Sequence, residues 1–278
     1  MKFSLVLATI GRTDEVGRFL TSLAAQTHRD FELIIVDQNM DQRLDHLLAS
    51  FADQISLLHL HCAPGLSRAR NIGLTHITGD VIAFPDDDCW YPPELLSTVA
   101  IWLDAHTDHD GVTGQSLDAT GKASHLLCPV HPTAIDNQNV WRQAISYSIF
   151  LRRHVVVTVG DFDESLGVGA GTPCGRGEET DYLLRALATG ARLDYEPTLF
   201  VFHPQSVIHY DAHAWRRGYN YGAGMGRVLR KHHAPSGFVL HLLLRAIGGA
   251  VIGIASLRTG MARFHRNAFK GHLCGWLS

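Results

Sequence analysis

Four short apolar runs constrain this chain more than any other feature. Residues 3–8, Phe31–Val36, Ile55–Leu60 and Val81–Phe84 are each too short for a helix and each gives way to turn or polar residues. Helical spacing recurs between them. Val16, Phe19, Leu20 and Leu23 form one apolar face, with Thr13 just ahead of it, and Leu44, Leu47, Leu48 and Phe51 form another. Leu66–His76 reads as a third helix, with Gly65 or Ser67 as its cap. Leu95, Leu96, Val99 and Trp102 form a fourth face, opened by Pro92 and Pro93. A strand that is apolar throughout must be covered on both sides, and strand–helix alternation supplies the cover. Roughly the first 100 residues are therefore expected to form a parallel α/β sheet. Such sheets bind ligands outside the carboxyl ends of their strands. Asp37 and the triplet Asp86-Asp87-Asp88 both fall at those ends, on one edge.

Composition supports a folded chain. Of the 278 residues 46% are hydrophobic, which excludes a disordered protein and suits one large domain, or one domain with an extension. Cys62, Cys89, Cys128, Cys174 and Cys274 are scattered, without a CxxC pair. Neither a disulfide framework nor a zinc ribbon is expected, and a reducing compartment fits. The apolar opening to Ile10 is short and runs straight into Arg12, Asp14 and Glu15, so it is read as a strand and not as a signal peptide.

The second half is less regular. Ser146–Leu151, Arg192–Tyr195 and Leu199–Phe202 are strand candidates, and Val155–Gly160 is ambiguous. Gly160, Gly167, Gly169, Gly171, Gly175 and Gly177 mark a loop, expected to be mobile. Glu178–Ala188 reads as a helix with acids at its start, as the dipole favours, and Gly190 past its end. Asp211–His232 looks helical, and Phe238–Leu257 is apolar but for His241 and Arg245. Net charge is uneven: residues 203–278 hold ten lysines and arginines against one acid, Asp211. A basic, apolar tail on an acidic body points to an anionic surface, and the Leu/Ile-rich run favours lipid over nucleic acid.

Several clusters are chemically suggestive. In a turn at a strand end, Asp86 and Asp88 can point the same way and grip a divalent cation that keeps positions open for phosphate oxygens. A solvated acidic turn, or a cap for the helix after Pro92, reads equally well. Asp37 can accept a hydrogen bond from a base or a ribose, or be an ordinary turn acid. Arg68 and Arg70 near a helix start suit phosphate, or pair with nearby acids on a solvent face. Glu178, Glu179 and Asp181 follow the glycine loop; 178 and 181 share a helical face, and an acid there can serve as general base or as a plain acidic first turn. His203 is the best ligand candidate among 18 histidines, with His209 second. There is no HExxH, GxSxG, Walker A or GxGxxG. Gly222-Ala223-Gly224-Met225-Gly226 reads either as weak evidence for phosphate binding or as close helix packing.

Taken in order, Val6–Arg12, Val36-Asp37, Ala69-Arg70-Asn71-Ile72-Gly73, Thr78-Gly79-Asp80, Phe84–Asp88 and Gly177–Asp181 resemble a family 2 glycosyltransferase of the inverting, GT-A type over about residues 3–235. The resemblance implies a mostly parallel central sheet flanked by helices, with a C-terminal helical extension. It implies a catalytic domain over 1–210, with a nucleotide-sugar half to about 105 and an acceptor half from about 106. The extension then covers 211–278. It implies that Ala8, Thr9, Asp37, Arg70, Asp86 and Asp87 contact a nucleotide-diphospho-sugar donor, and that Asp86, Asp88 and His203 hold Mn2+ or Mg2+. It also implies that Glu179 is the catalytic base, with Asp181 the fallback, and that the acceptor is a glycan or a lipid-linked molecule. Two motifs depart from the family pattern. The opening turn has Ile-Gly where Tyr-Asn is frequent, and Gln-Asn follows Asp37 where Asp-Gly is frequent. Two other readings stand beside this one: a nucleotidyltransferase on a similar sheet, and a non-catalytic glycan-binding module.

The tail decides the expected location. The twelve uncharged residues between Arg245 and Arg258 would span about 18 Å as a helix, against a hydrocarbon core of about 30 Å. An interfacial helix is therefore expected over a clean span, with Arg258, Arg263, Arg266 and Lys270 on headgroups. That places the protein in the cytoplasm, peripheral on the inner face of a membrane. The competing reading is a helix packed on the catalytic domain or on a second copy. Gly249 and Gly253 form a GxxxG pair.

Overall fold

β1 (Phe3–Thr9) is buried at every residue, and β2 (Phe31–Asp37) at every residue but Glu32. Such strands are mostly apolar because both of their faces are covered, with Ser4, Thr9, Glu32 and Asp37 as the polar exceptions. β3 (Ser56–His61) is a partly exposed edge strand. The structure, a computed structural model, describes residues 1–123, 129–143, 145–205 and 209–278, so Cys128 lies outside it. The other described cysteines are free thiols.

The chain divides into two compact units. The first holds Met1–Pro64, Arg68–Phe162 and Tyr182–Gln205; the second holds Gly65–Ser67, Asp163–Asp181 and Ser206–Ser278.

In the first unit, the intervening helices α1 (Asp14–Ala24), α2 (Asp45–Ala49), α3 (Leu66–Leu74, of which this unit holds Arg68 onward) and α4 (Leu95–Ala105) follow the expected alternation with β4 (Val81–Ala83). Val16, Phe19, Leu20 and Leu23 of α1 are buried, as their spacing requires. β5 (Gly111–Leu117), β6 (Thr133–Ala134), α5 (Val140–Gln143), β7 (Ile149–Arg152), α6 (Arg153–Val159), α7 (Glu178–Ala188, of which this unit holds Tyr182 onward) and β8 (Leu193–Phe202) complete the order through residue 202. The eight strands form one sheet, β3-β2-β1-β4-β7-β5-β8-β6. Most pairings are parallel; β7 runs antiparallel to both β4 and β5, and β6 to β8. Phe3, Leu5, Leu7, Phe19, Leu33 and Phe150 belong to its core.

Three local readings change. Ser146–Leu151 is a 3-10 turn at Ser146–Ser148 followed by β7. The ambiguous Val155–Gly160 segment is helical. The two short strands expected around Tyr195 and Phe200 are one strand, β8, with a break in its register opposite β5 between Thr113 and Gln115. Pro197 lacks the N–H a continuous ladder needs, so the strand bulges there. Gly114 admits the bulge: a Cβ on it would sit 2.5 Å from the Leu199 carbonyl oxygen.

In the second unit α8 (Ala212–Lys231), α9 (Ser236–Ala255) and α10 (Thr259–Leu277) pack closely. Gly222 and Gly226 of α8 face α10, and a Cβ on Gly222 would lie 2.5 Å from the Ala268 carbonyl oxygen. The glycine run at 222–226 is therefore occupied in helix packing. Gly249 and Gly253 of α9 do the same against His265 and Ala262 of α10. The GxxxG pair joins two helices of one chain.

Candidate functional site

The carboxyl edge of the first unit's sheet gathers Ala8, Thr9, Asp37, Arg70 and the Asp86–Asp88 triplet. Thr9 and Asp37 pair in register at the ends of β1 and β2, and Ala8 bridges to Asp86 just beyond β4. The three acids of the triplet have different partners. Asp86 accepts from Arg70 Nη2 at 3.3 Å and from Ser146 Oγ at 3.1 and 3.2 Å. Asp87 accepts from Thr9 Oγ1 at 2.8 Å and from Arg12 Nη1 at 2.7 Å. Asp88 meets the same Arg12 Nη1 at 2.5 Å and His203 Nε2 at 3.1 Å.

These surroundings set the charges. Burial pushes Asp87 up to about 6, against the pull of Arg12 and Thr9. Burial opposes ionisation of Asp88 too, but His203 and Arg12 outweigh it and hold the group down at about 2. Asp86 is raised by burial against the pull of Arg70. Burial favours neutral His203, yet the Asp88 carboxylate overrides it and raises the imidazole.

One ligand atom each from Asp86, Asp88 and His203 falls within 4.8 Å of the others. Two carboxylate oxygens and one imidazole nitrogen suit a divalent first-row ion, and the nitrogen favours Mn2+ over Mg2+. The imidazole is held in place by its neighbours. Its Nδ1 lies 2.7 Å from the Pro204 carbonyl oxygen, leaving Nε2 toward Asp88, and Tyr147 stacks on the ring at 4.6 Å.

Arg70 is almost wholly buried, with its guanidinium 5.4 Å from the Phe162 ring and 5.9 Å from that of Phe84. Asp37 is buried as well. Its Oδ1 accepts from the backbone and side-chain nitrogens of Asn39, and its Oδ2 lies 3.2 Å from His59 Nε2. His61, across the register from Asp37, completes a second three-residue group with that spacing.

In the second unit, the first turn of α7 separates its acids. Asp181 is fully buried between Lys231 Nζ at 2.9 Å and His232 Nε2 at 2.8 Å. Lys231 also reaches Asp163 at 2.7 Å. Glu178 is buried too, beneath Gly167, where a Cβ would come within 3.3 Å of the carboxyl. Gly167 has φ +95°, a left-handed conformation that also favours glycine. Glu179 is partly exposed, and its Oε2 atom is buried with no hydrogen-bond partner among the described residues. The glycine loop ahead of α7 is knitted in place, with Gly167 N donating to Cys174 O and Gly175 N to Asn220 O. A cavity of about 780 Å³ opens between this loop and the helices, lined by Trp215, Arg216, Tyr219, Asn220 and Asn267 together with Gly171–Pro173.

Four further residues, Arg12, Ser146, Tyr147 and His59, meet the acids and His203 at this edge without having been singled out from the sequence. Arg12 carried the visible signal, a cation three positions past a strand end. Ser146, Tyr147 and His59 carried none, since each reaches the site from a distant stretch of chain.

A model of glycosyl transferase family 2 matches residues 4–143, which include Asp37, Arg70 and the whole Asp triplet. The chain belongs to glycosyl transferase family 2. Its sequence is similar to an uncharacterized glycosyltransferase of Nostoc sp., 27% identical over 59% of this chain and 54% of that one. It is also similar to a glucosyl-dolichyl phosphate glucuronosyltransferase of Haloferax volcanii, 32% identical over 41% and 38% of the two chains. The matches thus span about half or less of these curated relatives.

Among solved structures the fold is similar to a mannosyltransferase of Pyrobaculum calidifontis in complex with GDP-Man and Mn2+, with a TM-score of 0.66 at 15% identity. That match covers 98% of this chain and 87% of the other. S. aureus TarS 1-349 in complex with UDP matches with a TM-score of 0.59 at 15% identity, over 98% and 90%. The fold is therefore the GT-A type, an α/β sheet, mostly parallel, with C-terminal helices.

Proposed function

We propose that this family 2 enzyme moves a sugar from a nucleotide-diphospho-sugar to an acceptor hydroxyl with inversion at the anomeric carbon. The observation that carries the reading is the convergence of Asp86, Asp88 and His203 within 4.8 Å, next to buried Arg70 and on the edge that also holds Asp37. Asp37 takes a hydrogen bond from the donor's base or ribose, with Ala8 and Thr9 beside it. Asp86, Asp88 and His203 hold a divalent ion, Mn2+ or Mg2+. When bound, the ion offsets negative charge on the donor diphosphate. Arg70 adds a fixed positive charge at that end, where charge grows as the nucleoside diphosphate leaves. Asp87 positions Thr9 and Arg12.

Glu179 removes the acceptor's proton. The freed oxygen pair forms the new bond to the anomeric carbon while the bond from that carbon to the diphosphate oxygen breaks, and its electrons leave with the nucleotide. The unsatisfied Oε2 of Glu179 supports this role, because a base needs an oxygen not already committed elsewhere. Asp181 instead anchors Lys231 and His232. The cavity beside the loop, with its Trp215 and Tyr219 rings and several polar groups, suits a sugar-bearing acceptor, either a glycan or a lipid-linked one met at the cytoplasmic face of a membrane.

The test is release of nucleoside diphosphate from a panel of UDP- and GDP-sugars, with and without Mn2+ or Mg2+. Cation-dependent release from a subset of donors is expected. Cation-independent release, or none from any donor, overturns the reading.

A further inference from the structure

The second unit ends in a helical hairpin with features that packing does not explain. α9 uses one side, at Val239, Ala246, Gly249 and Gly253, to lie against neighbouring helices. Its other side exposes Leu240, Leu244, Ile247, Val251 and Ile254, in each case by 44% or more. These recur at helical spacing and form one continuous apolar stripe. A surface of that kind marks a contact with something apolar.

The turn after α9 adds a second, independent observation. Arg258 N donates to Gly253 O and Leu257 N to Ile254 O, a C-terminal cap whose left-handed position is normally glycine. Here it is Leu257, at φ 57° and 89% exposed. A leucine there bears backbone strain and gains no burial within the protein.

Charge identifies the contact. Arg245, Arg258, Arg266 and Lys270 are all exposed, and among the described residues none of the four has an acidic partner. A second copy of this chain would bring the same cations together, whereas an anionic bilayer offers the opposite charge. Crossing the bilayer does not fit either. α9 is fastened along its length to α10, which carries Arg263, Arg266 and Lys270, and α9 itself carries Arg245.

We propose that the α9–α10 hairpin is a membrane-docking element that lies in the headgroup region of an anionic bilayer, with the α9 stripe and Leu257 in the acyl boundary and the four cations on lipid phosphates. The inference takes from the proposed function only that the acceptor is met at a membrane.

Flotation of the full chain with vesicles tests it. Binding to vesicles containing phosphatidylglycerol is expected to exceed binding to pure phosphatidylcholine by about tenfold or more and to weaken with salt. Leu257→Gly should reduce binding while leaving thermal stability unchanged or higher, an outcome a purely structural leucine cannot give. Leu244→Asp with Val251→Asp, both at exposed positions, should abolish flotation. Release of nucleoside diphosphate from a soluble donor should persist in all of these variants, which separates failure of docking from failure of the catalytic reading. Three results overturn the proposal: flotation that is absent or indifferent to the variants, a solution dimer that Leu244→Asp dissolves, or resistance to alkaline carbonate extraction from cell membranes.

Discussion

The triplet at Asp86–Asp88 and the run at Glu178–Asp181 look alike as strings of acids, yet the structure treats them in opposite ways. Every carboxylate of the triplet meets a cation or a hydroxyl in its own unit: Arg70 and Ser146 on Asp86, Thr9 and Arg12 on Asp87, Arg12 and His203 on Asp88. In the run, Asp181 is locked by Lys231 and His232, Glu178 is covered, and Glu179 keeps a buried oxygen unpartnered. The first arrangement concentrates negative charge and offsets it, which suits a site that exchanges protein cations for a bound one. The second leaves a single buried carboxylate oxygen, Oε2 of Glu179, without a hydrogen-bond partner among the described residues.

Substitutions at the two clusters should therefore fail differently. The largest effects are kinetic. Asp88→Ala is expected to abolish cation-dependent transfer and to lose Mn2+ binding by calorimetry. Glu179→Gln should lower turnover by about 10²–10⁴-fold while donor affinity stays unchanged; full activity in that variant would remove Glu179 from the mechanism.

Asp181→Ala should act on folding instead. Removing one partner of a buried ion pair costs about 3–5 kcal/mol, so denaturant midpoints should fall sharply. An Asp181→Ala protein as stable as the parent but without turnover would move the base to Asp181.

Glu32 extends the contrast to the opposite edge of the sheet. Burial works against its charge, but Lys2, Ser4 and Thr78 outweigh it and hold it down at about 2. A depressed carboxylate stabilises the fold above its unfolded value near 4.3, and that gain is lost as pH falls toward about 2. Solvent screens these contacts, so Glu32→Gln should cost about 1 kcal/mol at pH 7, with the difference vanishing in acid and activity per folded molecule unchanged. The smallest effect belongs to Tyr147→Phe. It removes the 2.8 Å bond to Ser116 Oγ, worth about 1 kcal/mol, but retains the ring under His203, so Mn2+ affinity should hold.

The sheet's first half was readable because its signals are local. β1 and β2 each carry a run of four apolar residues and β4 is wholly apolar, while α1 places its buried residues at helical spacing, so period and length distinguish them. β5 was not readable, because Gly111-Val112-Thr113-Gly114 is strand only through its neighbours β7 and β8. The amphipathic spacing of α10 is weak, interrupted by the glycines at 271 and 275 that allow α8 to approach.

Sequence alone determined that acids gather at strand ends, that a parallel α/β sheet carries them, and that the tail is basic and apolar, since each follows from spacing or composition. Tertiary structure decided which acid has which partner. Arg12 reaches Asp87 across 75 positions, and Asp181 meets Lys231 fifty positions on. It also decided that the glycines of α8 and α9 are spent on helix contacts while the α9 stripe and Leu257 face outward. Partnership and exposure depend on distances across the fold, and those are set by packing between segments that no local pattern connects.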